Sequence, residues 1–315
     1  MRAYFGHHKC ASTWVWQLVA GVCREIGLRH YLALDERTPL THGLLTGFAE
    51  GGRGQERLKG TFERRRLRER VEEAGAEFVS CITADREQLE ALAPTRGFHV
   101  IRDPRDIIVS GYFSHRNSHP TDGLPELARH RERLRAVSKE EGLLLEMDFA
   151  RGTLIDLAQW DYDRPEILEL RMEELSAKPY EGFVRIFQHL ELLPDEEPTA
   201  GRRLLALSLR RTLNRLSARP MLRPLRRPMP ATGEILLGAV YGNRFEAKTK
   251  GRPAGAEDTR SHYRKGVAGD WINHFTPAHT EAFNERFGDL LVKLGYEQDD
   301  DWDTGRRNPA LAGSS

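Results

Sequence analysis

Cysteines and long apolar runs are both scarce in this 315-residue chain, and each scarcity excludes a class of protein. The three cysteines, Cys10, Cys23 and Cys81, are too few for a disulfide framework and lack the spacing of a metal site. No run of 18 apolar residues occurs, so no transmembrane helix is predicted. The opening segment MRAYFGHH has the pattern of a strand rather than of a signal peptide. We therefore expect a cytoplasmic protein.

Net charge is also small, because 48 Lys and Arg against 47 Asp and Glu leave +1. This balance argues against a protein that coats nucleic acid, and 39% hydrophobic residues suffice for a sizeable core. Lysine is rare among the basic residues: eight are Lys and 40 are Arg. Arginine binds oxyanions through two parallel hydrogen bonds, so the composition suits phosphate or sulfate ligands. For most of these arginines, however, we favour an arginine-biased genome as the explanation.

Strand and helix patterns alternate along the chain. The predicted strands are residues 3–5, the segment RHYLALDERT that contains Asp35 and Glu36, and residues 77–83, 97–103 and 166–173. The predicted helices are residues 12–27, 53–74, 86–93, 104–115, 124–142, 143–160 and 180–192. Strands that alternate with helices indicate βαβ units. We therefore predict an α/β fold of three layers, in which a central parallel sheet of about five strands is flanked by helices.

One domain is predicted, spanning residues 1–297. It carries helical insertions at about 41–75, 116–160 and 201–230, and residues 298–315 are predicted to be a disordered tail. The 201–230 insertion begins as an Arg-rich amphipathic helix and ends in a Pro-rich loop. For the helix we favour a leucine face packed on the core. For the loop, a patch that contacts an anionic substrate or a membrane surface remains open.

Three separate segments have residues suited to binding oxyanions. The first, GHHKCASTW at 6–14, lies where a strand turns into a helix, and amides at a helix N-terminus bind anions. Lys9 adds a charge there, but the spacing differs from the Walker A pattern GxxxxGK[ST]. The second segment begins at Arg102 and places Ser110 about two helical turns later. The third, SHYRKGVAGDW at 261–271, has two adjacent cations before a glycine.

In this order the three segments resemble the motifs of the sulfotransferase family that uses 3′-phosphoadenosine 5′-phosphosulfate (PAPS). KCASTW is similar to the family's 5′-phosphosulfate loop, RDPRDIIVS to its 3′-phosphate motif, and RKGVAGDW to its C-terminal signature. The resemblance spans residues 9 to 276 and is most specific in the third segment. It implies a P-loop-like nucleotide-binding core and an enzyme that moves a sulfuryl group from PAPS to a hydroxyl or amine, releasing adenosine 3′,5′-bisphosphate (PAP).

The resemblance also assigns roles to individual residues. Lys9 would contact the 5′-phosphosulfate and the bridging oxygen, and Trp14 would pack near the adenine. Phe245, in the segment NRFE, would sandwich the adenine, although an ordinary core phenylalanine is about equally probable. The remaining contacts implied are donors to the 5′-phosphosulfate from Ala11, Ser12 and Thr13, and 3′-phosphate binding by Arg102, Ser110, Arg264, Lys265 and Gly266.

The sequence departs from the family pattern at the position where a general base is expected. Many members carry a histidine at the end of the third strand, but the stretch VSCITAD has none. Other branches use a carboxylate near the second strand, where Asp35, ranked first, and Glu36 lie. His115 is a further candidate, and His7 and His8, beside Lys9, stay open.

No metal is required for this chemistry, and no acidic metal cluster is seen in the sequence. The acceptor is open: a small molecule, a lipid or a carbohydrate, but not nucleic acid. The sequence leaves the oligomeric state unknown. Two other hypotheses are a P-loop nucleotide kinase, which predicts Mg²⁺-dependent ATP turnover, and a non-catalytic protein that binds anions or a membrane through residues 201–230.

Overall fold

The computed structural model describes residues 1–33, 67–93, 95–194, 202–299 and 302. Within them a five-stranded sheet has the order β2-β3-β1-β4-β5, and every neighbouring pair is parallel. Its strands are β1 (Arg2–Gly6), β2 (His30–Ala33), β3 (Phe78–Cys81), β4 (Arg96–Ile101) and β5 (Ile167–Arg171). The predicted parallel α/β sheet is therefore confirmed.

Helices cover both faces of this sheet. In chain order they are α1 (Ser12–Ile26), α2 (Leu67–Glu73), α3 (Arg86–Leu92), α4 (Pro104–Phe113), α5 (Pro125–Ala136), α6 (Lys139–Phe149), α7 (Arg151–Gln159), α8 (Met172–Ala177), α9 (Pro179–His189), α10 (Arg202–Ser217), α11 (Gly233–Gly242), α12 (Phe245–Lys248), α13 (Pro277–Phe287) and α14 (Leu290–Lys293). No helix among the described residues is both long and apolar enough to cross a membrane.

Side chains of the central strand β1 pack alternately against helices on the two faces of the sheet, which gives the three layers. Successive side chains of a strand point to opposite faces. Tyr4 is buried with Leu18 of α1 and Phe183 of α9, whereas Phe5 is buried on the other face with Leu89 of α3. Both faces of the strand are buried away from solvent, which explains its uninterrupted run of apolar residues.

Two predicted helix boundaries differ from the structure. The stretch predicted as helices 124–142 and 143–160 forms three helices, α5, α6 and α7. Ser138 begins α6, because its hydroxyl accepts from the Glu141 amide while the Glu141 carboxylate accepts from the Ser138 amide. The predicted helix 104–115 ends at Phe113 and continues as a π-helix, Ser114–Ser118. Single π turns of this kind are frequent at functional sites.

The Arg-rich helix α10 contacts α1, but the leucine face predicted to pack on the core is only partly buried, because Leu207 packs against the core whereas Leu209 and Leu216 are exposed. Arg211 and Arg215 of α10 both donate to the carboxylate of Glu25, and Asn214 donates to the Glu25 carbonyl at 3.0 Å. In the segment predicted as a tail, Trp302 is 4% exposed and donates to Asn284. Residues 300, 301 and 303–315 lie outside the described part of the chain.

Candidate functional site

The sheet order brings two of the oxyanion segments side by side. β1 and β4 are neighbours in parallel, with Gly6 opposite Val100, so both strands end at the same edge of the sheet. The 6–14 segment leaves β1 there, and the segment that begins at Arg102 leaves β4 there. Ligands of open α/β sheets bind at this carboxyl edge.

A cavity of about 480 Å³ opens at this edge. All three oxyanion segments reach it, although the third is separated from the second by about 150 residues of chain. The residues that line it include every one predicted to contact the donor nucleotide: Lys9, Ala11, Ser12, Thr13, Trp14, Arg102, Ser110, Phe245, Arg264, Lys265 and Gly266.

The first segment exposes the N-terminus of α1 to the cavity. Lys9 and Ala11 both adopt left-handed backbone conformations, with φ of 65° and 56°, and these bends fold the loop tightly before the helix. Ala11 is the N-cap and has no side-chain acceptor for the amides of the first turn. These amides therefore remain suited to an anion, and Ser12 and Thr13 add hydroxyl donors beside them.

Arg102 joins the first two segments. Its Nη1 donates to the Lys9 carbonyl at 3.0 Å, and its Nη2 lies 3.8 Å from Asp106. The side chain is largely buried, yet its Nε has no hydrogen-bond partner among the described residues. A buried donor without a partner is costly, so an acceptor such as a phosphate oxygen would complete this group.

Asp106 anchors the third segment on α4. It is buried and accepts from the amide of Gly269 at 2.7 Å and from that of Trp271 at 3.0 Å. Sequence analysis overlooked Asp106 as a functional residue. The available signal was its spacing of four from Arg102, which puts both residues on the same side of the helix start.

Asp270 holds the two cations of the third segment. Its carboxylate pairs with Arg264 and Lys265, each at 2.5 Å, and accepts from Asn273 at 2.9 Å. Burial opposes ionisation, but hydrogen bonds from His274 and these partners outweigh it and hold the pKa of Asp270 well below its usual range. Lys265 keeps two further N–H donors, and Arg264 keeps donors of its own, so both remain able to bind an anion.

Gly266 fits against the ring of Phe245. Its backbone is left-handed, with φ of 70°, and a Cβ added there would lie 2.5 Å from Cδ2 of Phe245. The guanidinium of Arg252 lies 5.0 Å from the centre of the same ring. The glycine therefore lets the third segment approach the aromatic residue closely, and both of them line the cavity.

Positive charge is concentrated at the cavity. Burial lowers the pKa of the Lys9 ammonium to about 8, and the nearby Arg102 adds to this effect, while the carboxylate of Glu146 opposes it. Desolvated cations that repel one another are stabilised when an anion binds between them. The electrostatics therefore favour an anionic ligand in this cavity.

The predicted base candidates lie in three different places. Asp35 and Glu36 lie outside the described residues. His115 is buried on the π-helix and stands behind the cavity wall, where its Nε2 lies 3.1 Å from Nε2 of His8. His8 itself lines the cavity. Its neighbour His7 is buried against His99, with their Nε2 atoms 2.8 Å apart.

Comparison with known proteins gives a distant structural likeness. No protein-family model and no curated protein matches the chain. A mouse sulfotransferase complexed with PAP is similar at a TM-score of 0.48 and 13% identity, covering 92% of this chain and 84% of that one. A retinol dehydratase in complex with androsterone and inactive cofactor PAP has a TM-score of 0.45 and 15% identity, covering 98% and 83%. Retinol dehydratase in a complex with retinol and PAP has a TM-score of 0.42 and 14% identity, and the match covers 92% of this chain and 80% of that one.

Proposed function

We propose that the protein is a PAPS-dependent sulfotransferase. It would transfer the sulfuryl group to a hydroxyl or amine of a small-molecule, lipid or carbohydrate acceptor and release PAP. The observation that carries the proposal is the convergence of three distant cationic segments on one cavity at the carboxyl edge of a parallel sheet.

The residues of the cavity fit a doubly phosphorylated adenosine. The buried Nε of Arg102 has no acceptor among the described residues, and the first turn of α1 has no side-chain cap, which supports two separate places for an anion. The ring of Phe245, packed against Gly266, offers an aromatic face for a base. PAPS would supply the activated sulfuryl group and a phosphate leaving group.

Each part of the cavity has one task in this proposal. The α1 amides, Ser12 and Thr13 would bind the 5′-phosphosulfate. Lys9 would donate to the oxygen on which negative charge develops, since a preorganised donor there stabilises the transition state. Arg102 would hold the 3′-phosphate together with Ser110, Arg264, Lys265 and Gly266. Fixing both ends of the nucleotide aligns the reacting atoms, which lowers the entropic part of the barrier.

Nucleotide preference tests this proposal directly. Since the cations of the second and third segments would bind a 3′-phosphate, PAP should bind more tightly than ADP, which lacks that group. One charge-assisted hydrogen bond contributes roughly 1.5–3 kcal/mol, so we expect at least a tenfold difference in Kd. Titration calorimetry with both nucleotides measures it. Equal affinities, or Mg²⁺-dependent turnover of ATP, would support the nucleotide kinase hypothesis instead.

Gly266 provides a second test with a matched control. Gly266→Ala would force a Cβ against Phe245, so we expect at least a tenfold weaker affinity for PAP. Gly123→Ala imposes a similar left-handed strain, at φ of 77°, but its Cβ would meet no atom within 4 Å and the residue does not line the cavity. The control should therefore bind PAP like the wild type. If both variants bind equally well, the contact between Gly266 and Phe245 does not shape the nucleotide site.

A cytoplasmic location belongs to the same proposal. Cys10, Cys23 and Cys81 are buried and none of them forms a disulfide bond, as expected of a protein in a reducing compartment. Contact of residues 201–230 with a membrane surface stays a prediction. Co-sedimentation with vesicles that contain anionic lipid would measure it.

A further inference from the structure

A chain of hydrogen bonds runs from the cavity wall into the protein. Nε2 of His8 lies 3.1 Å from Nε2 of His115, and Nδ1 of His115 lies 2.8 Å from a carboxylate oxygen of Glu146. The other oxygen of Glu146 lies 2.8 Å from Nε2 of His130. Only the first member of this chain, His8, reaches the cavity. Glu146 is fully buried, and His130 at the opposite end is 4% exposed.

The carboxylate of Glu146 determines which ring nitrogen carries the hydrogen in His115 and, through it, in His8. Burial opposes ionisation of Glu146, but the two histidines outweigh it and keep the pKa of the carboxyl below its usual value. The ionised Glu146 accepts from Nδ1–H of His115, so a neutral His115 has its lone pair at Nε2. His8 must then donate through its own Nε2. The lone pair of His8 is therefore at Nδ1, for which no described residue is a hydrogen-bond partner.

The geometry of the two rings is that of a hydrogen bond and not of a shared metal ion. The rings of His8 and His115 are nearly parallel, at 3°, and their centres are 5.3 Å apart. Because the nitrogens are only 3.1 Å apart, they point at each other along the line that joins the ring centres. An ion on that line would require about 4 Å between the nitrogens, twice a typical Zn–N bond. His119, the third imidazole close enough to share an ion, donates from Nδ1 to the Pro120 carbonyl at 2.9 Å.

We propose that His8 is the general base of the transfer reaction and that His115 and Glu146 position it, an inference that rests on the proposed function. As the acceptor oxygen bonds to sulfur and the bond from sulfur to the 5′-phosphate oxygen breaks, the hydroxyl proton passes to Nδ1 of His8. The electron pair of the broken bond leaves with PAP. The positive charge that forms on His8 is stabilised through His115 by the Glu146 carboxylate.

His115 is a positioning residue in this arrangement. It has no contact with the cavity, but its hydrogen bond fixes the tautomer and the orientation of His8. His8 and Lys9 are consecutive in the chain and line the same cavity. One loop would therefore position both groups: His8, which removes the acceptor proton, and Lys9, which stabilises the leaving oxygen.

The surroundings of His8 keep it neutral. Burial lowers its pKa well below 6.5, and the charges of Lys9, His115, His119 and His262, which come from three different elements, act in the same direction. A general base works in its deprotonated form, so activity is lost as the pH falls through its pKa. Because that pKa is lowered, transfer should stay constant from about pH 7, where Lys9 with its pKa of about 8 is protonated, down to pH 6.5, and fall only below it.

The variant His8→Ala tests the role of the base. Hydrolysis of PAPS to PAP and sulfate, with water as the acceptor, is the assay, since it needs no known acceptor. General-base catalysis contributes about 10²–10⁴-fold, so a loss of at least 10²-fold is expected, with partial rescue by added imidazole. The Kd for PAP should change less than about threefold. His189→Ala, which alters a histidine bonded to the Glu166 carbonyl, should keep full activity.

A spectroscopic readout tests the chain independently of turnover. In protein labelled with ¹⁵N-histidine, the proton shared by His8 and His115 should give one imidazole N–H signal. That signal should vanish in both His8→Ala and His115→Ala. We expect His115→Ala to lower kcat by roughly tenfold, the free energy of one hydrogen bond, and to leave the Kd for PAP unchanged.

The outcomes separate the two proposals. A wild-type protein that fails to bind PAP overturns the sulfotransferase proposal and the base with it. Normal PAP binding with undiminished hydrolysis in His8→Ala overturns the base alone. Stoichiometric zinc whose removal by a chelator abolishes activity, in a protein that lacks the shared imidazole signal, would likewise overturn the base, because the histidines would then be metal ligands.

Discussion

Replacing Lys9 by alanine is expected to lower the rate of sulfuryl transfer by at least about 10²-fold, because removal of one preorganised donor to a developing oxyanion has an effect of this size. The loss should appear in kcat more than in PAP affinity, since Arg102 and the third segment would still hold the 3′-phosphate. Single-turnover transfer from radiolabelled PAPS, together with PAP calorimetry, measures the two effects separately.

The backbone does not confuse this experiment. Lys9 adopts a φ of 65°, and lysine and alanine both carry a Cβ, so the strain of the left-handed conformation is the same in both proteins. Lys9→Met keeps the length of the side chain and should be as impaired as Lys9→Ala if charge is what matters. Lys139→Ala, at the start of α6, is the control and should be fully active. Transfer at the wild-type rate in Lys9→Met would remove Lys9 from the mechanism.

Arg102→Ala should weaken PAP binding by at least about tenfold and consequently abolish transfer at low PAPS concentration. The expected effect reflects the loss of one or more charge-assisted contacts to the 3′-phosphate, each of roughly 1.5–3 kcal/mol. Calorimetry with PAP and with adenosine 5′-phosphate checks the assignment. Affinity for PAP should fall toward that for adenosine 5′-phosphate, which has no 3′-phosphate, while Arg264 and Lys265 preserve part of the difference.

The same arginine also supports the first loop, so the experiment needs a second variant. Arg102 donates to the Lys9 carbonyl, and alanine would lose this bond as well. Arg102→Lys retains the charge but loses the Nε donor, so it should bind PAP with intermediate affinity. Arg86→Ala removes an exposed partner of Glu90 and is the control, with no change expected. Unchanged PAP affinity in Arg102→Ala would show that this residue does not bind the 3′-phosphate.

Local patterns in the chain were sufficient to predict the fold and to locate the three oxyanion segments. Alternating strands and helices predicted the parallel sheet, because each element is specified by residues close together in sequence. Gly6 and Ile101 end β1 and β4, so the segments that follow had to emerge at one edge once the strands were parallel. The convergence of Lys9 and Arg102 was predicted from the sequence through the resemblance of their segments to sulfotransferase motifs, and the order of the strands agrees with it.

Other features depended on contacts between residues that are distant in the chain. Asp106 accepts hydrogen bonds from the backbone amides of Gly269 and Trp271, which lie 163 and 165 residues further along the chain. No local sequence pattern specifies such a pairing. Whether His7 or His8 faces the cavity was likewise undecided in the sequence, since adjacent residues of a loop have no fixed periodicity. Packing decided it, because the pairing of His8 with His115 depends on the π turn that follows α4.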